Sequence, residues 1–217
     1  MKPKSMSKSI FKGILMVLAF AFIQTVYAKD NQVHIGVDVG RPIQGLFSKN
    51  KGFGVSLDYD LKNKLFPSIE WGRVSMDKSS DNGNSSVSSG NFVKIGLNKA
   101  FTTYGNRDEN RFYAGVHFAH AWFDYGFAST AGSGGYWDLP VYSASGLKAD
   151  ADWLEIAVGV RVGILDPLSI GWKAQYKRML HVSNDPKGIP ALVPGYGVNN
   201  DPQVALSVHL YYSFSIK

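Results

Sequence analysis

The sequence contains no cysteine, and only 18% of its 217 residues are charged. Without cysteine the chain forms no disulfide, no thiolate nucleophile and no cysteine metal site. Lipoprotein acylation is excluded as well, because it requires a cysteine at the mature N-terminus. After residue 28 no apolar run reaches the ~20 residues that a membrane-spanning helix needs. These absences exclude a disulfide-stabilised domain and, after residue 28, a helical membrane span.

The excess of basic residues lies largely at the N-terminus. Four lysines among the first twelve residues precede an apolar run at 14–23, and the small residue Ala28 follows. This layout is typical of a secretory signal peptide, whereas an uncleaved anchor would need a longer run. We therefore predict a signal peptide at 1–28 and one domain at 29–217. After removal of 1–28, 19 of the 23 basic residues remain, against 17 acidic residues. The small net charge of the mature chain therefore does not indicate nucleic-acid binding.

Apolar and polar residues alternate with a period of two through the rest of the chain. In the stretch 153–165, WLEIAVGVRVGIL, the even positions from 154 to 164 are apolar, while Glu155, Arg161 and small residues alternate with them. Asp166-Pro167 breaks this pattern, which resumes at 168–180. Strands in soluble proteins usually run ~5–6 residues, whereas a tilted strand that crosses a bilayer needs ~9–11. The length of both stretches therefore favours membrane-spanning strands.

Eight such strands are predicted, and long connections alternate with shorter ones. The long connections are 41–51, 77–90, 125–150 and 181–201. An even strand number with alternating loop lengths is typical of outer-membrane barrels. Because hydrocarbon offers no hydrogen bonds to the backbone, the sheet must close. The sequence thus predicts an all-β, eight-stranded antiparallel up-and-down transmembrane barrel in the bacterial outer membrane. A secreted lipocalin-like barrel is the alternative, but its lumen would have to hold the apolar residues of all eight strands.

Several stretches resemble a known family. They are the opening VHIGVDVGRPIQGLFSKNKGFGVSLDYDL, the segment 153–180 and the closing strand, with the corner Gly40-Arg41-Pro42-Ile43, Lys51-Gly52-Phe53 and Lys177-Arg178. Together they resemble a Bacteroidota family of small outer-membrane β-barrel proteins of uncharacterised function. The resemblance implies an eight-stranded barrel and no catalytic motif. It also implies a link to outer-membrane-protein assembly, in which such barrels serve as accessory subunits.

Charged residues lie on the polar faces of the predicted strands, which would point into the lumen. Because buried charges are costly unless they are paired, we predict an interior ion-pair network. Its members are Asp58, Glu70, Lys94, Glu155, Arg161 and Lys173. The network would hold the barrel shape, or alternatively form a gate or a path for small ions. An eight-stranded barrel is only wide enough for side chains to fill, which favours the structural role.

Metal and catalytic sites find little support in the sequence. His117 and His120 are three apart on a strand, so they face opposite sides, and we predict no metal site and no cofactor. A rim active site could draw on His120, Asp124, His181 and Asp185. No nucleophile is set against a base in a recognisable order, so we predict that the protein is not an enzyme.

The long connection 125–150 contains a cluster of apolar and aromatic residues. Tyr136, Trp137 and Tyr142 are candidate contacts for a partner or ligand, and packing over the barrel mouth is the alternative. We expect a non-catalytic barrel that serves as a structural or interaction subunit. Its partners would be the outer-membrane bilayer and other outer-membrane proteins. A lipid-modifying enzyme, or a narrow channel or ligand-binding barrel, is the alternative.

Overall fold

A computed structural model describes residues 31–61, 64–80, 83–103, 110–129, 142–183 and 185–216. The predicted signal peptide lies outside these residues. The elements are β1 (Asn31–Asp38), α1 (Gly40–Phe47), β2 (Lys51–Tyr59), β3 (Leu65–Ser79), β4 (Asn84–Thr103), β5 (Arg111–Ser129), β6 (Tyr142–Leu165), β7 (Leu168–Val182), β8 (Leu192–Val193), β9 (Gly197–Val198) and β10 (Gln203–Ile216).

Eight of the strands form one closed ring. Each pairs antiparallel with its neighbours in the order β1-β10-β7-β6-β5-β4-β3-β2, and β8 and β9 form a separate hairpin. The ring closes between the first and last strands, where Val33 lies opposite Phe214 and Val37 opposite Leu210. The eight-stranded antiparallel barrel predicted from the sequence is therefore confirmed. We call the end of the barrel with Asn31 and Ile216 the lower rim and the opposite end the upper rim.

The alternation of residues places apolar side chains outside and polar ones inside. On β6, Ile156 and Val158 are each 57% exposed, whereas Glu155 and Arg161 are fully buried. The same holds for β10, where Leu206 and Leu210 face outward while Ser207 and His209 are buried. A lipocalin-like barrel would have the opposite facing, so that alternative is wrong.

The segment 41–51, predicted as a loop, contains the helix α1. Its residues Ile43, Leu46 and Phe47 have the spacing of one helical face. Pro42 and Gly45 favour a turn in sequence, but proline is tolerated in the first helical turn because no N–H is needed there. In the part of the chain that the structure describes, no helix is both long and apolar enough to cross a membrane.

The predicted loops 77–90 and 125–150 are shorter than expected, because strands extend into both. The polar segment after Asp77 pairs as a hairpin, with Lys78 opposite Ser86, and β6 begins at Tyr142. Antiparallel pairing satisfies the backbone whatever the side chains are, so the polar composition gave no sign of these strands. Within the predicted loop 77–90, Ser88 is buried inside the barrel.

Candidate functional site

A short plug closes the barrel below its upper rim. The hairpin of β8 and β9 places Val193 and Tyr196 against the inner wall, where Tyr196 meets Trp153 edge-on at 5.7 Å between ring centroids. The Lys177 ammonium donates to the carbonyls of Gly195 and Tyr196 at 2.7 and 3.2 Å. Gly195 has φ +81°, and a Cβ there would lie 2.7 Å from the Phe92 ring, so only glycine fits. Within the predicted loop 181–201, this plug is the part that folds inward.

Two buried glutamates organise the ion pairs in the middle of the lumen. Glu70 lies 3.1 Å from Lys173 and 3.6 Å from Lys94, while Arg41 approaches it at 3.4 Å. Glu155 lies 3.1 Å from Lys94, and the Trp153 indole N–H donates to it at 2.7 Å. With Lys177 also 3.8 Å from Glu155, each glutamate has more than one cationic neighbour, and such pairing offsets the cost of burying a carboxylate.

A second group of ion pairs lies closer to the lower rim. The Arg161 guanidinium pairs with Asp58 and stacks on the Tyr211 ring at 3.7 Å from its centroid. Next to it, Arg111 donates to Asp60 at 2.8 Å, and His34 contacts the same carboxylate at 3.1 Å. Burial alone would raise the pKa of Asp60, which lies just beyond the end of β2. The hydrogen bond with His34 and the charge of Arg111 outweigh burial and hold this pKa well below its ordinary value.

All six charged residues singled out from the sequence are buried in the lumen, and the structure places them in these two groups. Arg41 was missed, because the sequence placed it in an external loop. Its position on the polar side of an amphipathic helix is the signal that could have placed it against the lumen. Asp38, also buried, contacts Arg41 at 3.2 Å and extends the network towards the upper rim.

Little space remains between these side chains. The lumen cavity bounded by Glu70, Lys94 and His117 measures about 20 Å³, which holds about one water molecule. A hydrated ion needs a wider path, and the plug closes the lumen above. The arrangement supports a barrel that is filled rather than open.

We therefore predict that the protein does not conduct ions. Purified barrel inserted into planar lipid bilayers is expected to give no stepwise conductance, because the filled lumen leaves no continuous water column. A variant that lacks the plug residues 191–199 is the comparison. It should also give no stepwise conductance, because the Glu70 and Glu155 ion pairs below the plug still fill the lumen. Regular conductance steps from the unaltered protein would contradict the filled lumen.

The histidines of β5 face opposite sides, as their spacing indicates. His117 is buried inside, whereas His120 faces outward with its Nδ1 2.8 Å from Asp152. Among the residues described, no hydroxyl is hydrogen-bonded to His120, and Asp124 lies opposite Lys148 instead. His181 lies opposite Asp152, and Asp185 accepts a hydrogen bond from the backbone N–H of Lys187. In the described part of the chain, the four candidate rim residues therefore do not bring a nucleophile against a base.

One cluster has the residue types of a metal site. Ligand atoms of Asp38, Glu70 and His209 lie within 4.8 Å of one another. Arg41 contacts both carboxylates, and Lys173 contacts Glu70. These cations already compensate the carboxylates, so the arrangement favours an ion-pair network over a bound metal ion.

Of the three candidate contacts in the upper connection, only Tyr142 lies within the described residues. Tyr136 and Trp137 lie outside them. The Tyr142 side chain is 57% exposed, donates a hydrogen bond to the Lys187 carbonyl at 2.9 Å and packs against Phe127. It joins the edge of β6 to the connection above the plug and leaves most of its ring accessible.

Comparisons with known proteins give one family and several remote structural likenesses. A domain of unknown function (DUF6048) matches residues 6–217. No curated protein matches the sequence. The N-terminal β-barrel domain of Pseudomonas aeruginosa OprF is 12% identical, with 87% of this chain and 100% of that chain covered and a TM-score of 0.47.

Two further solved structures are similar at the same level. A major outer membrane protein from Thermus thermophilus is 13% identical, covers 87% of this chain and 100% of its own, and has a TM-score of 0.46. The attachment invasion locus protein Ail of Yersinia pestis is 12% identical, with 87% and 100% covered and a TM-score of 0.45. The barrel fold follows from the strand pairing of this chain.

Proposed function

Because the chain belongs to the DUF6048 family, a domain of unknown function, we propose its role from its own residues. We infer that it is a non-catalytic β-barrel of the bacterial outer membrane that serves as a structural or interaction subunit. The signal peptide at 1–28 and the Bacteroidota origin are part of this proposal and stay predictions.

The observation that carries the proposal is the apolar outer wall. Large apolar side chains are exposed on all eight strands of the ring, among them Val37, Leu57, Ile69, Leu97, Val116, Ile156, Trp172 and Leu210. Soluble monomers rarely expose apolar patches above a few hundred Å². Only a lipid environment covers such a belt on every side of a barrel, and a closed sheet is what hydrocarbon demands.

A charge on this wall provides the test of membrane embedding. Val158→Arg places a guanidinium at the centre of the apolar positions 154–164 on the outer face of β6, and it is expected to destabilise the barrel by about 2–4 kcal/mol. Val87→Arg is the matched control: Val87 also faces outward, but it lies near the upper end of β4, where arginine would reach water. The measurement is urea unfolding in phosphatidylcholine vesicles, followed by the gel shift between folded and heated protein.

Equal effects of the two arginines would contradict the membrane embedding. So would a Val158→Arg variant that is as stable as the unaltered protein. A soluble barrel would show neither vesicle insertion nor the depth dependence.

The subunit role rests on what the upper rim offers to a partner. Strands β4, β5 and β6 extend furthest above the plug, and the exposed edge of β6 starts at Tyr142. An accessory place in outer-membrane-protein assembly is the narrower form of this proposal. Affinity purification from native outer membranes in mild detergent tests it: recovery with assembly components supports the accessory role, whereas recovery of the barrel alone supports a purely structural one. We propose no catalysis, since His120 lies beside Asp152 and, among the described residues, no hydroxyl is hydrogen-bonded to it.

A further inference from the structure

The barrel wall has a gap near its upper rim, because β1 is too short. β1 pairs with β2 up to Val37 and with β10 up to Asp38. Both neighbours continue upward, β2 to Lys51 and β10 to Gln203. Since neighbouring strands lie about 4.8 Å apart, the upper parts of β2 and β10 are separated by the width of one missing strand. One backbone bond continues the seam, from the Val39 N–H to the Val208 carbonyl at 2.9 Å.

The helix α1 lies over this gap without filling it. None of its residues is buried, and its backbone rests on the neighbouring strands through two glycines. A Cβ on Gly40 would lie 3.5 Å from the Val208 nitrogen of β10, and one on Gly45 would lie 3.6 Å from the Lys51 Cα of β2. On its other side Leu46 and Phe47 are 80% and 86% exposed. Such an amphipathic helix suits the boundary between headgroups and hydrocarbon.

A cavity of about 500 Å³ lies behind the helix, within the size range of ligand sites. Residues of the helix, the upper part of β10, Gln175 and the plug line it. Its charged lining residues are three cations, Arg41, Lys51 and Lys177, and one carboxylate, Asp38. The cavity therefore carries a surplus of positive charge.

This positive charge is only partly compensated. Arg41 contacts Asp38 and Glu70 through Nε and Nη2, but its buried Nη1 has no hydrogen-bond partner among the described residues. Lys177 lies 3.8 Å from Glu155, which is closer to Lys94 at 3.1 Å. Lys177 also donates to two carbonyls of the plug, so an anion in the cavity would be attracted mainly by its surplus of positive charge.

The rim of the gap adds backbone donors and apolar surface. Because the Val208 carbonyl faces the gap and alternate residues of a strand direct both their N–H and C=O groups to the same side, the N–H and C=O groups of Leu206 and Val204 face it too. The side chains of these residues point outward and are 72% and 78% exposed. Unpaired strand edges are not tolerated in hydrocarbon, so a headgroup that offers both acceptors and donors is the fitting neighbour for this edge.

We propose that the cavity between α1 and β10 binds the anionic headgroup of a lipid from the surrounding leaflet. The headgroup enters beside Arg41 and Lys177, and its acyl chain runs down the outer wall along Leu206 and Val204, next to the apolar face of α1. Charge selects the headgroup, and the lateral opening admits the lipid from the membrane. The inference rests on the proposed membrane embedding.

Native mass spectrometry of the purified barrel in detergent tests this site. Phosphatidylglycerol and phosphatidylcholine with identical acyl chains are titrated separately, and inorganic phosphate supplies the anion without a chain. We expect a one-to-one adduct with phosphatidylglycerol, a weaker one with phosphatidylcholine and no competition by equimolar phosphate. Arg41→Gln is expected to weaken phosphatidylglycerol binding about tenfold, the effect of losing one charge-assisted hydrogen bond.

Arg178→Gln is the control, because Arg178 lies on the outer face of β7 with its side chain 71% exposed and does not line the cavity. It should leave the adduct unchanged. Equal binding of the two lipids, or an Arg41→Gln variant that binds like the unaltered protein, would overturn the proposal. The gel shift on heating reports whether each variant is folded. Vesicle insertion separately reports membrane embedding, so failure of the lipid site in an inserted barrel is distinct from failure of the proposed function.

Discussion

Deleting residues 212–217 is expected to abolish barrel assembly rather than weaken it. The deletion removes five of the eight residue pairs that join β10 to β1, from Tyr212 opposite Ile35 to Ile216 opposite Asn31. It also removes Ser213, whose hydroxyl lies 2.8 Å from the buried His34 ring. Two open strand edges would then face hydrocarbon, where no water satisfies them. The measurement is the yield of heat-modifiable protein in vesicles and in the outer membrane.

Deletion of Lys217 alone is the control, since β10 ends at Ile216 and every pair of the seam is kept. This variant should assemble like the unaltered protein. Normal insertion of the chain that lacks 212–217 would mean that the β1–β10 seam is not needed for closure.

Arg161→Ala is expected to give the largest loss of stability among single substitutions in the lumen. The guanidinium is fully buried and pairs with Asp58, so its removal leaves a carboxylate in the barrel interior without its main partner. Breaking a buried pair in this way costs about 3–5 kcal/mol. Urea unfolding in vesicles measures the change in free energy.

Two comparisons make this prediction specific. Arg161→Met combined with Asp58→Asn removes both charges, and because a neutral pair carries no uncompensated charge, it should recover most of the loss. Lys49→Ala breaks an exposed pair with Asp77, 3.8 Å apart, and should cost less than about 1 kcal/mol. If Arg161→Ala unfolds at the same urea concentration as Lys49→Ala, the lumen pairs do not stabilise the barrel.

The facing of each strand could be predicted from the sequence, because a period of two assigns every residue to one side. Glu155 and Leu154 are neighbours in sequence, yet one is buried and the other exposed. The partner of each buried charge could not be predicted in the same way. Arg161 on β6 meets Asp58 on β2 across the lumen, and that meeting depends on the tilt and stagger of the closed sheet, which no local pattern contains.

The helix and the strand extensions were missed for a different reason. Pro42 and Gly45 carry strong turn preferences, and the surrounding barrel wall overrides them by resting α1 on β2. The upper parts of β3 and β4 are rich in serine and also hold Asp77, Lys78 and Asn84, and aspartate, lysine and asparagine have little strand propensity. The β3–β4 ladder continues without a break from the apolar lower parts of both strands. The upper pairs therefore depend on that ladder rather than on their own composition.

The unequal strand lengths have a consequence for the membrane around the barrel. β1 has eight residues and β6 has 24, so the wall at β1 spans about 20 Å along the barrel axis at the usual rise and tilt. That height is below the ~25 Å apolar band of typical barrels, whereas the wall at β6 exceeds it. Bilayers respond to such mismatch by thinning locally, and proteins respond by tilting. In the proposed membrane setting the barrel should therefore stand inclined in the bilayer, with a thinned patch of lipid beside β1.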